Sequence, residues 1–475
     1  MIVVEQLDAV CVYFSELVQK PEDQIRIMLC MFMVYPLGWI MNLFLNGRVT
    51  RHLFATITGF LLQIYMYKDQ VIHPLLMTLI TYILLNVLPR NQCHKAVFVF
   101  TMGYLSGSHI YRMLTNFGGW DLDITTYTMI LTAKLSSLGF CYKDGGEKEE
   151  NLIPDQKERK VEKMPTPLEM LSYVFFCCGC LCGPFYEYSD YINFIEKRAH
   201  YAKIPVSIWQ SLVRLFHGLL CLAFNLIVGQ YFWVQFCGTE EFTTYSFPYK
   251  VMYYFIAMTS QRFQYYTAWC ITDGALIASG LAYDGYDEKT KTHKFDRITS
   301  IIIADVELGL SPNLMIQSWN HMIHIWLKHY VYNRTLVPGK RPGLYNSMAV
   351  FIISAFWHGF YPFYYVMFFF CAFFAELAKD VYRSRVYFRF IPDPFHSILA
   401  NFATLLTLNY LGTSFGLLTF ERGLRFSGAM YHYVFIYIVV LFAVFRFGGI
   451  PQKAQRLEKK LKEKEEARNT VKKDQ

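Results

Sequence analysis

The sequence predicts an all-α fold: a polytopic transmembrane helical bundle with about nine to twelve membrane segments. Three observations lead there. Hydrophobic residues make up 54% of the chain and charged residues only 17%, where a soluble domain carries about 25% charge. The apolar residues gather into runs that approach the roughly 20 residues a bilayer-spanning helix needs. The short alternating strands of a membrane barrel are not seen. The formal net charge is +8. In so apolar a chain that charge belongs to membrane flanks or an anionic co-substrate, not to nucleic acid.

Three regions are expected: an N-terminal segment 1–25, a membrane domain 26–450 and a basic tail 451–475. The start, MIVVEQLDAV, has neither a basic n-region nor a small-residue cleavage site, so no cleavable signal peptide is read there. Residues 1–25 read as a short amphipathic helix. Spans follow at Ile27–Leu45, Leu53–Tyr67, Leu75–Leu88 and Ala96–Tyr111, with PRNQCHK (89–95) as a basic turn before the last of these. Residues 122–140 form another apolar segment, and its Lys134 is read as snorkelling to an interface, with a charged ligand as the other reading. KDGGEKEENLIPDQKERKVEKMP (143–165) is too charged to span and reads as an exposed loop.

Thr166, Pro167 and Glu169 then have the spacing of a helix cap, a first-turn proline and a capping-box carboxylate. The helix they start is expected to run through Cys177, Cys178, Cys180 and Cys182 and to break at GPFYEY (183–188). These cysteines read as small packing residues. A metal or acylation site is the alternative, although their spacing has no zinc signature. DYINFIEKR reads as an interfacial helix. Further spans are expected within 205–232, 247–283, 348–377, 395–416 and 430–445. The polar YDGYDEKTKTHKFDRI (283–298) marks an exit from the membrane. From Lys453 onward the tail holds nine basic against five acidic residues, which favours the cytosolic side.

The chemistry concentrates between Ser318 and Gly359. SWNHMIHIWLKHYVYNR mixes polar and aromatic residues too closely for a lipid-facing helix. Asn320 and His324, and His321 and His324, have spacings that can share a helix face. Trp319 and Trp326 read as interfacial anchors. His358 follows 38 residues after Asn320, inside an apolar run. Polar groups at membrane depth are costly unless paired, and they usually face a bundle interior or a cavity. A neutral imidazole accepts a hydroxyl proton as a bond to carbon forms, and an amide beside it orients a substrate or steadies an oxyanion. A histidine packed across helices is the competing structural reading. Neither a GxSxG elbow nor an HExxH motif is present, which favours direct transfer without a covalent or metal device, and no metal ligands are expected.

These residues bring a family into view. The WN at 319–320, WLKHYVYNR, and SAFWHG at 354–359 resemble the membrane-bound O-acyltransferases, in their lysophospholipid branch. PLEMLSY (167–173), GPFYEY (183–188), YYTAW (265–269), the GxxYDGYD region (280–287) and HGFYPFYY (358–365) support the resemblance, which covers about residues 25–448. It implies a bundle enclosing a reaction chamber, with acyl-coenzyme A as co-substrate from the cytosol and a lysophospholipid entering from the bilayer. No permanently bound cofactor is implied. His358 matches the family's catalytic histidine and Asn320 its catalytic asparagine. Lys328, Tyr332 and Arg334 are then candidate coenzyme contacts, and Trp319, His321, His324, Trp357, Tyr361 and Tyr365 candidate substrate contacts. IQSWN differs from the acidic, aromatic-rich motif of the sterol and diacylglycerol branch.

TRHLFATITG (50–59), MGYLSGSHIYR (102–112) and LTAKLSSLGFCYKDG (131–145) resemble the enzymes acting on lysophosphatidylethanolamine and lysophosphatidylserine. Lysophosphatidylcholine and lysophosphatidylinositol remain open, because GPFYEYSDYINFIE resembles the inositol-lipid branch equally. A protein O-acyltransferase and a non-enzymatic transporter or scaffold are the rival functions. The ending KKDQ resembles a dilysine retrieval signal and points to the endoplasmic reticulum membrane with a cytosolic C-terminus. Monomer and homodimer both stay open.

Overall fold

A computed structural model describes residues 2–473 apart from 20, 120–122, 338 and 341, and the side chains of 6–466 apart from these and 18. The dilysine side chains of Lys472 and Lys473 therefore lie outside the described residues. The chain begins with α1 (Ile2–Val18) and α2 (Glu22–Leu43). Glu22 and Asp23 occupy the first turn of α2, where carboxylates meet the positive end of the helix dipole. The other end is closed by Arg51 on α3 (Arg48–Tyr67), which donates to the carbonyls of Met41, Leu45 and, across the bundle, Phe194. Helix ends leave such carbonyls without intrahelical donors, so a fully buried guanidinium is retained there without a carboxylate partner.

A short 3₁₀ turn joins α3 to α4 (Ile72–Val87). α5 (Arg90–Thr115) starts inside the stretch expected to be a basic turn, because Pro89 serves as its N-cap. In α6 (Thr125–Asp144) Lys134 corrects the snorkelling expectation. It is fully buried, and its Nζ donates to the Tyr173 carbonyl at 2.5 Å and the Tyr186 hydroxyl at 2.7 Å, with both rings against it. The charged 143–165 segment folds back onto the bundle through α7 (Pro154–Arg159), and the Val161 N–H closes onto the Cys141 carbonyl at 2.9 Å.

The capping box forms as expected at α8 (Pro167–Val174). Thr166 Oγ1 accepts from the Glu169 N–H at 3.3 Å while Glu169 Oε2 accepts from the Thr166 N–H at 2.7 Å. The helix, however, stops at Val174, before the cysteines. Residues 175–183 are irregular backbone with Cys177, Cys178 and Cys180 fully buried. Non-helical chain at depth is tolerated where protein surrounds it, and Gly59 of α3 makes room: a Cβ there would fall 1.5 Å from the Phe175 carbonyl oxygen. α9 (Tyr188–Ile195) is likewise packed in the core through Tyr191 and Phe194, not laid on an interface.

α10 (Ile208–Val228) and the short α11 (Glu240–Thr244) precede α12 (Phe247–Ser279), against which α2 and α10 pack. Gly280, with φ +87°, ends α12 in the left-handed conformation that suits glycine. An exposed antiparallel hairpin follows, β1 (Gly285–Asp287) with β2 (Thr292–Lys294). α13 (Ile303–Glu307), α14 (Pro312–Ser318) and α15 (His321–Leu327) lead through a π-helical turn, Lys328–Tyr332, into α16 (Asn333–Thr335). α17 (Leu344–His358) and α18 (Pro362–Arg383) pack together, and α19 (Asp393–Gly412), α20 (Ser414–Leu417), α21 (Phe420–Ala429) and α22 (Tyr433–Phe447) complete the bundle. The tail is helical as α23 (Ile450–Lys473).

Among the described residues, four stretches are long and apolar enough to cross a bilayer alone: Glu22–Leu43, Arg48–Val87, Ile208–Val228 and Pro362–Arg383. The pair α21 and α22, bent by 79°, makes a fifth if taken as one span. The chain is a helical, multi-spanning membrane protein. Its interior divides into two main apolar clusters. One gathers α2–α6, α8, α9, the C-terminal part of α12, α15 and Trp357; the other gathers the start of α12 with Ala355 and α18–α22. The C-terminal end of α17 lies on the seam between them.

Candidate active site

His358 is the last residue of α17, and Gly359 turns the chain away with φ +120°. Its imidazole is half-buried within an aromatic ring: Phe368 stacks at 5.3 Å, Phe415 stands at 5.1 Å, Trp357 at 4.8 Å and Tyr364 at 6.5 Å between centroids. Among the described residues no group hydrogen-bonds either of its ring nitrogens. Trp357 is core, 3% exposed, with its indole N–H donating to the Met129 carbonyl on α6 at 2.8 Å.

Asn320 caps α15 from a left-handed backbone conformation, φ 45° and ψ 53°. Such a conformation costs about 1–2 kcal/mol for most side chains and is least costly for asparagine among them. It is held from both sides. The His321 N–H donates to the Ser300 carbonyl at 2.7 Å, and the Ile302 N–H to the Ser318 carbonyl at 3.2 Å. Ser300 is itself clamped: Asp273 on α12 accepts from its hydroxyl at 2.6 Å and its N–H at 3.0 Å. Arg214 on α10 completes the clamp, donating to Asp273 at 2.7 Å and to the Ile301 carbonyl at 2.8 Å. The Asn320 side chain makes no capping bond.

Trp319, expected as an interfacial anchor, is half-buried. Its ring packs among Tyr265, Tyr266 and Trp269 of α12. Trp326, also read as an anchor, is fully buried, donates to Ser136 Oγ at 3.1 Å and lies 6.3 Å from Trp357. The neighbourhoods of Asn320 and His358 are joined through α15, which rises about 9 Å from residue 320 to 326, and through the ring contact of Trp326 with Trp357, the residue before His358. The two side chains do not hydrogen-bond each other.

The remaining candidates are spread more widely. His321 Nδ1 donates to the Gln317 carbonyl at 2.9 Å, and His324 is half-buried one turn later. Lys328 is exposed and Tyr332 half-buried, both on the π turn, a feature frequent at functional sites. Arg334 is engaged by both oxygens of Asp144, at 2.9 and 2.5 Å. Tyr361 accepts from the Gly118 N–H at 2.8 Å. The Tyr365 hydroxyl is buried without a partner among the described residues, 5.9 Å from Phe356 by ring centroids.

Residues 112–420, more than half of the chain, match the membrane-bound O-acyltransferase family. The chain belongs to that family. It is similar to the lysophospholipid acyltransferase of Schizosaccharomyces pombe, 31% identical over 91% of this chain and 88% of the relative. It is also similar to the human membrane-bound glycerophospholipid O-acyltransferase 2, 29% identical over 88% and 84% respectively. Lysophospholipid acyltransferase 1 of Arabidopsis thaliana is 30% identical over 86% of this chain and 90% of the relative. The match contains both Asn320 and His358.

Within this O-acyltransferase, the reading of motifs missed the clamp that shapes the asparagine turn. Arg214 and Asp273 each sit in an apolar stretch, and an ionisable residue inside a membrane helix is a functional flag. A second network centres on Arg262 of α12. The guanidinium pairs with Glu307 at 2.9 Å, Tyr266 donates to the same carboxylate at 2.7 Å, and Asn409 also binds Arg262. Glu307 ends α13, so this network holds the far side of the loop that bears Ser300.

Proposed function

We propose that this membrane-bound O-acyltransferase transfers an acyl chain from acyl-coenzyme A to the free hydroxyl of a lysophospholipid. The observation that carries the proposal is the half-buried His358 imidazole, set in an aromatic ring and, among the described residues, hydrogen-bonded to no protein group. Its open ring nitrogens keep their bonding capacity for a substrate. The relatives' names support the acceptor class, and the N-terminal motifs favour lysophosphatidylethanolamine or lysophosphatidylserine, with lysophosphatidylcholine beside them. Lysophosphatidylinositol is the alternative head group.

In the proposed reaction the glycerol hydroxyl attacks the thioester carbonyl while His358 accepts its proton. The new C–O bond forms, the carbonyl oxygen becomes an oxyanion, and the Asn320 amide donates to it or orients the acceptor. Collapse breaks the C–S bond. The thiolate of coenzyme A takes the proton from His358, so the base is restored and no acyl-enzyme is needed. Lys328 and Tyr332 are placed as coenzyme contacts, with Arg334 sharing its charge with Asp144. Trp319, His321, His324, Trp357, Tyr361 and Tyr365 are assigned to the substrate path.

The working unit is residues 26–450, between an N-terminal segment and the basic tail. The KKDQ ending and the tail's positive charge favour the endoplasmic reticulum membrane with a cytosolic C-terminus. The test is purified protein given mixed acyl-coenzyme A donors and a panel of lysolipid head groups. Coenzyme A release with at least one lysolipid is the expected result. Release with none, under conditions where the protein stays folded, overturns the proposal.

A further inference from the structure

The base has a second histidine behind it. His109 lies on α5, 8% exposed, in a helix from the other half of the chain. Its Nε2 is 3.0 Å from the Trp357 carbonyl oxygen. A carbonyl can only accept, so Nε2 carries the proton and donates. That carbonyl is one of those a helix end leaves without a donor. The Gly359 N–H serves the carbonyls of Ala355 and Phe356, and the chain then turns away at φ +120°, leaving Trp357 to find its donor elsewhere.

The same ring also lies against the residue after His358. A Cβ built on Gly359 would fall 3.2 Å from His109 Nδ1 and 3.3 Å from its Cγ. One imidazole therefore meets both chain neighbours of the candidate base: it hydrogen-bonds the carbonyl before it, and it occupies the space a side chain on the glycine after it would enter. On the other side, Trp357 is tied to α6 by its indole N–H. With the peptide fixed before and after, the direction in which the His358 side chain leaves the backbone is fixed, and its rotamers start from one place.

We infer that His109 is a positioning residue for His358, setting the end of α17 through the Trp357 carbonyl and the Gly359 turn. This rests on the acyl-transfer reading above. The role needs a donor at the Nε2 position and nothing else of histidine's chemistry. Glutamine can place its amide nitrogen where Nε2 lies. The asparagine nitrogen reaches only the Nδ1 position, and leucine fills the space without donating.

The experiment compares full-length His109→Gln, His109→Asn and His109→Leu by steady-state coenzyme A release, with folding checked by monodispersity in detergent. His109→Gln is expected to keep kcat within about threefold of the wild type, while His109→Asn and His109→Leu lose about tenfold to a hundredfold in kcat with KM for acyl-coenzyme A within about twofold. Wild-type kcat in the leucine variant overturns the inference. So does an equal loss in glutamine and asparagine variants, which indicates packing alone; that pair decides the matter if the leucine variant does not fold. His358→Ala separates the two levels. If it keeps near-wild-type kcat, the assignment of His358 as the base fails, and the positioning role with it. If it is inactive while all His109 variants keep wild-type kcat, only the positioning role fails.

Discussion

Replacing Asp273 by asparagine is expected to unlatch the turn that carries Asn320. Asp273 is 2% exposed and receives one charge-assisted bond from Arg214 and two bonds from Ser300. Removing one partner of a buried ion pair costs about 3–5 kcal/mol, because the other charge is stranded. The amide oxygen of asparagine can still accept the Ser300 N–H, which places the expected cost near the lower end, about 3 kcal/mol. That is roughly a hundredfold in the unfolding equilibrium. The double variant Arg214→Leu with Asp273→Leu strands no charge. Its cost is that of the Ser300 donors and the Ile301 carbonyl left without partners, about 1–3 kcal/mol for each such group. The double variant should therefore cost clearly less than the sum of Asp273→Leu and Arg214→Leu measured alone, because each single variant also strands a charge. Unfolding by a denaturing detergent, followed by tryptophan fluorescence, measures this. Coenzyme A release measures the accompanying loss of kcat as the Ser300–His321 hydrogen bond loosens. A cost under about 1 kcal/mol for Asp273→Asn, or a double variant whose cost equals the sum of the two leucine singles, refutes the clamp.

Gly59→Ala is expected to destabilise the bundle by at least about 1–3 kcal/mol, because its Cβ would meet the Phe175 carbonyl oxygen at 1.5 Å and only backbone movement could relieve it; thermal unfolding in detergent checks this. Trp326→Phe should cost about 1–3 kcal/mol through a lost Ser136 hydrogen bond and lost volume, and should lower kcat by loosening Trp357. The Asp287 carboxylate on the exposed hairpin is pulled down to about 2, first by the hydrogen bond from the Lys294 ammonium. A depressed carboxylate contributes order above its ordinary value of about 3.9 and loses it as pH falls through the folded value. Amide exchange in Thr292–Lys294 should accordingly show extra opening between about pH 4 and 2, relative to Asp287→Asn, which has no such titration.

Features whose partners are near in sequence were legible. The Thr166 capping box needs only residues 166–169, and it forms as expected. The apolar stretches that became α2, α3, α10 and α18 announce themselves by hydropathy alone. What failed was decided by distant partners. Nothing around Lys134 names Tyr173 and Tyr186, so snorkelling was the reasonable reading. The cysteine run is as apolar as a helix, yet Gly59 and the surrounding protein allow it to stay irregular. Trp326 looked like an interfacial anchor because a buried tryptophan and a boundary one have the same local signature. Of the site, Asn320 and His358 stood out as polar residues in aromatic or apolar surroundings. The residues packed behind them did not: Asp273 and Arg214 lie on separate helices, and His109 meets Trp357 across 248 positions of chain.

The most direct measurement is coenzyme A release by purified His358→Ala beside the wild type, with a lysophospholipid that the wild type acylates. An imidazole that acts as the base predicts loss of about 10²–10⁴-fold in kcat in a protein that unfolds at the wild-type temperature. Near-normal turnover in that folded variant contradicts the account.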